Sequence, residues 1–151
     1  MGSESFADDL ATALVAVQRL MRRRLRIGAG PPRLRGAEVE LLRLVVARPG
    51  IGVSDAAKEL YLAGNSVSTL VNQLARDGYL VRETHPADRR AARLLPTEAA
   101  EARLRDWHER RTALVRRQLA RLDEEDREAL QAALPALRKL AENLHEEGEE
   151  T

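Results

Sequence analysis

The chain contains no cysteine, which excludes thiol-based redox sensing, disulfides and cysteine-ligated zinc within it. Aromatic residues are nearly as scarce, at 3% of 151 residues. A core made without them must rely on Leu, Val and Ala, and that favours helices over a β-sandwich. No apolar run approaches the roughly 20 residues needed for a membrane span. The opening Met1-Gly2-Ser3-Glu4-Ser5 also lacks the basic run and apolar block of a signal peptide. A cytoplasmic protein with no membrane partner is the expectation. An excess of one charge is missing too, because the formal net charge is +1. Any argument for nucleic-acid binding must therefore rest on where the charges sit. The three histidines, His85, His108 and His145, are far apart and show no metal-ligand spacing, so no metal is expected. There is no Gly-rich phosphate loop, no nucleophile elbow and no pair of carboxylates in an apolar setting, so neither a cofactor nor an enzyme is expected.

The composition is 44% hydrophobic and 32% charged, which fits a folded, helix-rich domain of single-domain length. Phe6, Leu10, Leu14, Val17, Met21 and Leu25 recur at spacings of three and four and predict an amphipathic first helix. Arg22, Arg23, Arg24 and Arg26 crowd its last turns, and Gly28, Gly30, Pro31 and Pro32 are expected to stop it. A second helix is expected from about Gly36 to Arg48, ended by Pro49-Gly50, and a short third from about Val53 to Leu60. A fourth follows Tyr61-Leu62-Ala63-Gly64 and runs to about Arg76, closed by Asp77-Gly78. The period then changes. Tyr79-Leu80-Val81 and Ala91 to Leu95 read as two strands around the polar turn His85-Pro86-Ala87-Asp88, a hairpin. From Thr97 the pattern is helical again, with Ala99, Ala102, Leu104, Trp107, Leu114, Val115 and Leu119 expected to be buried. Asp123 is a candidate N-cap for a last helix carrying Leu130, Leu134, Leu137, Ala141 and Leu144, which Pro135 inside it is expected to kink.

Two short helices, a tight turn and a hairpin make a winged helix-turn-helix, in which the second helix enters the DNA major groove. The fourth helix has the two faces that this requires. Val67, Leu70, Val71 and Leu74 are apolar, whereas Asn65, Ser66, Ser68, Thr69, Asn72, Gln73 and Arg76 occupy the rest. Nearly all of these are short, uncharged hydrogen-bonders; Asn and Gln suit adenine edges, and Ser and Thr suit bases or phosphates. An ordinary solvated face would carry more Glu and Lys. In the hairpin, Arg89 and Arg90, with Arg93 nearby, put cations at the tip, where long side chains can enter a narrow minor groove. Asp88 is a poor partner for phosphate and reads as the group that orients Arg90 or caps the turn.

These residues carry a family resemblance. Ser66 to Val81 resembles throughout the recognition helix and first wing strand of the MarR (multiple antibiotic resistance regulator) family. Pro86-Ala87-Asp88-Arg89-Arg90 is similar to its Asp-x-Arg wing signature, and Thr97 falls where its Leu-Thr pair begins the next helix. Pro96 replaces the usual Leu, Ala100 stands where Gly is common, and Ala63-Gly64 makes a poorer N-cap than the family's Ser or Thr. The segment 34–97 carries nine Arg/Lys against seven Asp/Glu, a thin excess, so affinity is expected to be either modest or steeply dependent on salt.

The resemblance implies a mainly α (α+β) fold, a winged helix-turn-helix with long N- and C-terminal dimerisation helices. Residues 1–151 would form one such domain, with the DNA-binding lobe at 34–97 and the dimerisation helices at 4–27 and 98–147. It further implies a repressor that binds double-stranded DNA as a homodimer on a pseudo-palindromic operator. Release by a small aromatic or anionic effector, held between the dimer helices and the lobe, is also implied, and Trp107, His108 and the Arg22–Arg26 run are candidates to lie near such a cleft. The rival reading is a winged-helix adaptor for another protein, which would have no need of the Asp88-Arg89-Arg90 wing.

Overall fold

Pro49 and Gly50 end a helix and start a sheet, and the winged lobe is organised around that turn. Gly50 sits at φ +91°, a conformation that residues with a Cβ rarely adopt, and its N–H donates to the Leu94 carbonyl at 2.8 Å. The two residues that follow are thereby laid along a later strand. The computed structural model describes residues 2–26, 34–85 and 87–149, with only the backbone of residues 85, 88–91 and 149. Among these, six helices and three strands follow in order: α1 (Gly2–Arg26), α2 (Gly36–Ala47), β1 (Ile51–Gly52), α3 (Val53–Glu59), α4 (Gly64–Arg76), β2 (Leu80–His85), β3 (Asp88–Pro96), α5 (Glu98–Leu119) and α6 (Glu124–Glu149). The expected stop of α1 at Gly28 to Pro32 lies outside the described residues. The fold is the mainly helical winged helix-turn-helix that the sequence predicts.

The hairpin is larger than expected. The strands are antiparallel in the order β1-β3-β2, with Ile51 opposite Leu94 and Gly52 opposite Arg93. The edge strand β1 was not foreseen, because two residues are too few to show a period. The strand β3 begins at Asp88 instead of Ala91, since its pairing with β2 runs up to His85–Asp88.

The chain divides into two compact units, Met1–Arg111 and Thr112–Thr151. In the first, the core gathers Leu41, Leu42 and Val45 of α2, Ala56 and Ala57 of α3, Val67, Val71 and Leu74 of α4, with Tyr79, Leu80, Leu94 and Ala100. Burying each Leu or Val side chain contributes roughly 1.5–3 kcal/mol. Glu38 is the buried charged residue of this unit; its carboxylate accepts the Arg35 N–H at 2.7 Å and satisfies a donor at the start of α2. At the start of α5 the buried position is Ala100, whereas Ala99 and Ala102 are exposed. Thr97 sets that phase. Its hydroxyl donates to the Gly78 carbonyl at 2.7 Å and accepts the Ala100 N–H at 3.2 Å, which ties the base of the wing to the helix after it. Gly78 is left-handed at φ +81°, as its place after α4 predicts.

In the second unit Asp123 caps α6 as expected, accepting the Asp126 N–H at 2.8 Å, and the helix continues through Pro135. No helix of the described residues is long and apolar enough to cross a membrane.

Gly50→Ala is expected to destabilise the protein by about 1–2 kcal/mol, from the left-handed backbone alone. The added Cβ would also come within 3.0 Å of Arg93 Nη2. Urea unfolding followed by circular dichroism checks this; an unchanged midpoint would mean that the turn is not constrained as described.

Candidate nucleic-acid interface

The helix α4, expected to be the recognition helix, is held by one side. Val67, Val71 and Leu74 are fully buried and Leu70 packs against the same core. Their spacing turns Asn65, Ser66, Thr69, Asn72, Gln73 and Arg76 to solvent, with Ser68 half-buried. All seven sequence-predicted residues of this helix therefore share its outer surface. The N-cap residue Ala63 gives no side-chain hydrogen bond. Asn65 compensates from inside the first turn, where its Oδ1 accepts the Ser66 N–H at 2.9 Å. The Thr69 hydroxyl donates to the Asn65 carbonyl at 3.0 Å. Gln73 Nε2 donates to Asp77 Oδ1 and Oδ2, each at 3.3 Å.

The turn leading into α4 is strained. Tyr61 has φ 52° and is the non-glycine residue with positive φ among those described; its ring is half exposed. It lies between α3 and α4, where the left-handed residue turns the chain from one helix to the next. Leu62 continues into the core.

The wing places its predicted residues unequally. Asp88, Arg89 and Arg90 are the first three residues of β3, just past the turn; their side chains lie outside the described residues. Arg93 is further down, paired with Gly52 and Glu83 across the sheet. A Cβ built on Gly50 would lie 3.0 Å from Arg93 Nη2 and 3.3 Å from its Nε, so this guanidinium covers the Gly50 turn at the base of the wing. The structure thus separates Arg93 from the wing tip, where the sequence had grouped it with Arg89 and Arg90.

A second feature of the first unit involves α2 and α5. Arg43 Cζ lies 4.1 Å from the centroid of the Trp107 ring, and Arg111 Cζ lies 4.6 Å from it. Two guanidinium groups thus share one indole, an attraction between cation and ring quadrupole that must offset their mutual repulsion. Burial, followed by the Arg111 charge, lowers the Arg43 pKa from its ordinary value, while Glu40 acts in the opposite direction. An open cleft of about 710 Å³ is lined here by Arg43 and Val46 of α2 and by Leu104, Trp107, His108 and Arg111 of α5, with Glu101, Arg105 and Glu109 also in contact. His108 Nδ1 is 3.2 Å from Arg111 Nη2. Trp107, read from sequence as core, is a wall of this cleft. Arg43 and Arg111 were missed. The i, i+4 spacing of Trp107 and Arg111 was available as a signal, but nothing local points to Arg43, which arrives by tertiary contact. Among the described residues no group of three or more His, Cys, Asp or Glu could hold a metal ion.

Comparisons with known proteins agree with this architecture. Residues 34–91 match the model of the MarR family. No curated protein matches the sequence. Among solved structures, the fold is similar to that of FabT of Streptococcus pneumoniae, crystallised in complex with DNA. The identity is 23% and the TM-score 0.71, over 93% of this chain and 98% of that one. It is also similar to the transcriptional regulator Tm0710 of Thermotoga maritima, at 27% identity and a TM-score of 0.67, over 93% and 96% of the two chains. PcaV of Streptomyces coelicolor, a transcriptional regulator solved with its natural ligand, matches at 20% identity and a TM-score of 0.59, over 87% and 91%. The family match spans α2 to the start of β3, the elements that present the polar face of α4. With a fold shared along nearly the whole chain, it makes this protein similar to the MarR family of winged-helix transcriptional regulators.

Proposed function

We propose that the protein is a sequence-specific repressor that binds a pseudo-palindromic operator as a homodimer and is released by a small aromatic or anionic effector. The observation that carries the reading is the outer surface of α4. Six uncharged hydrogen-bonders and one arginine stand on a helix whose other side is locked in the core. Such a surface suits base edges, which need matched donors and acceptors more than charge. In this reading Asn65, Ser66, Ser68, Thr69, Asn72, Gln73 and Arg76 face the major groove. Arg89 and Arg90 reach the minor groove or backbone from the wing, with Asp88 orienting Arg90 or capping the turn, and Arg93 braces the wing and adds a phosphate contact. The lobe is residues 34–97, and the protein acts on DNA in the cytoplasm.

Residues 4–27 and 98–147 are assigned to dimerisation. Phe6, Val15, Val17 and Leu20 of α1 and Leu130, Leu134 and Leu144 of α6 are all exposed. Apolar surface of this extent is what a partner covers, and a second copy supplies the two-fold symmetry of a palindrome. The effector is assigned to the cleft at Trp107. A carboxylate bound beside the indole would relieve the repulsion between Arg43 and Arg111 and pair with their guanidinium forks. FabT was solved with DNA and PcaV with a ligand, both of which accord with these assignments.

Binding to the DNA beside the protein's own gene tests the central claim. Wild type should prefer it to random duplex by about 10³-fold or more, and Arg90→Ala should lose about tenfold or more of that affinity. Equal binding of both DNAs by wild type would sink sequence-specific repression. Light scattering at micromolar concentration should give twice the 16.8 kDa chain mass; a monomer removes the two-half-site model. Trp107 is the lone tryptophan, so aromatic carboxylates should change its fluorescence in a saturable way, and Arg43→Ala should weaken that response about tenfold or more. A response identical in the variant would move the effector elsewhere.

A further inference from the structure

Asp77 is the C-cap of α4, an unfavourable place for a carboxylate, because it faces the negative end of the helix dipole. Its carboxylate is not matched by a cation; the ion pair among the described residues is Arg48–Glu59. What it does hold is the amide of Gln73, one turn back, through both oxygens at 3.3 Å. A carboxylate accepts hydrogen bonds and cannot donate them. The amide nitrogen must therefore face Asp77, and Gln73 Oε1 must face away from it.

This matters because a glutamine amide is otherwise two-faced. Free to turn over, it can offer Oε1 to a donor or Nε2 to an acceptor, and so it tolerates any base. In the major groove adenine N6 and cytosine N4 are donors, whereas guanine O6 and thymine O4 are acceptors. We propose that Asp77 presets Gln73 as an acceptor on the recognition surface, so that this position selects a base carrying an amino group, adenine or cytosine, and rejects guanine and thymine. Asp77 touches no base and is a positioning residue. The inference rests on the reading of α4 as the recognition helix. It goes beyond that reading by assigning a base class to one side chain and a role to a residue outside the recognition set.

Selection of bound duplexes from a randomised library tests it, with wild type, Gln73→Ala, Asp77→Ala and Asp77→Asn compared at one salt concentration. The asparagine variant keeps the size of the side chain at the C-cap and guards against a folding defect in the alanine variant. Wild type should yield a motif with a position at which adenine or cytosine is favoured by on the order of tenfold over guanine and thymine. Gln73→Ala should flatten that position. Both Asp77 variants should lose most of the discrimination there while the remaining positions keep theirs. A purely structural role for Asp77 would instead weaken every position together. A purely electrostatic one would tighten binding to all sequences, through lost repulsion of phosphate, and leave the motif intact. Either of those results overturns the proposal, as does a motif that survives Gln73→Ala unchanged. A wild type that selects no motif overturns the recognition-helix reading as well, which separates that failure from a failure of the Asp77 role alone.

Discussion

Burial of one side of α4 is the constraint on which the winged lobe depends. Val67, Val71 and Leu74 are fully buried against Leu41, Leu42 and Val45 of α2 and Leu94 of β3. Because the helix repeats every 3.6 residues, fixing those three positions also fixes where Asn65, Thr69, Asn72 and Arg76 must point. The rotation of the recognition surface is therefore set by aliphatic packing, with no polar contact across the helix required. The same core anchors the wing, since Leu80 and Leu94 belong to it and lie on neighbouring strands. Helix and hairpin are thus presented from one shared core.

The polar groups around that base are mostly committed to local work. Thr97 bridges Gly78 and the first turn of α5, Asn65 supplies a bond that Ala63 cannot, and Glu38 closes the start of α2. Arg93 covers the glycine turn at the foot of the wing. Each bond is worth only about 1 kcal/mol net, but together they define where the elements of the lobe begin and end. Gln73 and Asp77 stand apart, because their mutual bond caps nothing in the backbone. That is the reason to look for its purpose outside the fold.

The cleft beside Trp107 follows a different logic. The core of the lobe tolerates almost no unpaired charge, yet here Arg43 and Arg111 both approach one ring. Neither charge is matched by an ion pair among the described residues. Like charges held together on an apolar surface store repulsion that an anion can release. The apolar surfaces of α1 and α6 are likewise exposed without cover.

Much of this was legible in the residue order. The 3.6-residue period of Val67, Val71 and Leu74, the shift to strand after Gly78, and the caps at Asp123 and Gly78 are local signals, and local physics decides them. The polar face of α4 was read from residue types whose chemistry is their own. What escaped was always non-local. The strand β1 exists only because Gly50 meets Leu94. Ala100 is buried in place of Ala99 because Thr97 ties α5 to Gly78. Arg93 leaves the wing tip for the Gly50 turn, and Arg43 reaches Trp107 from a helix some sixty residues earlier. By itself, then, the sequence determined which elements form and which face of α4 is polar, since these follow from periodicity and propensity over a few turns. Only the tertiary structure decided which arginines meet a common ring, which amide is held by a carboxylate and how the sheet is closed, because those depend on distances between residues that no local pattern encodes.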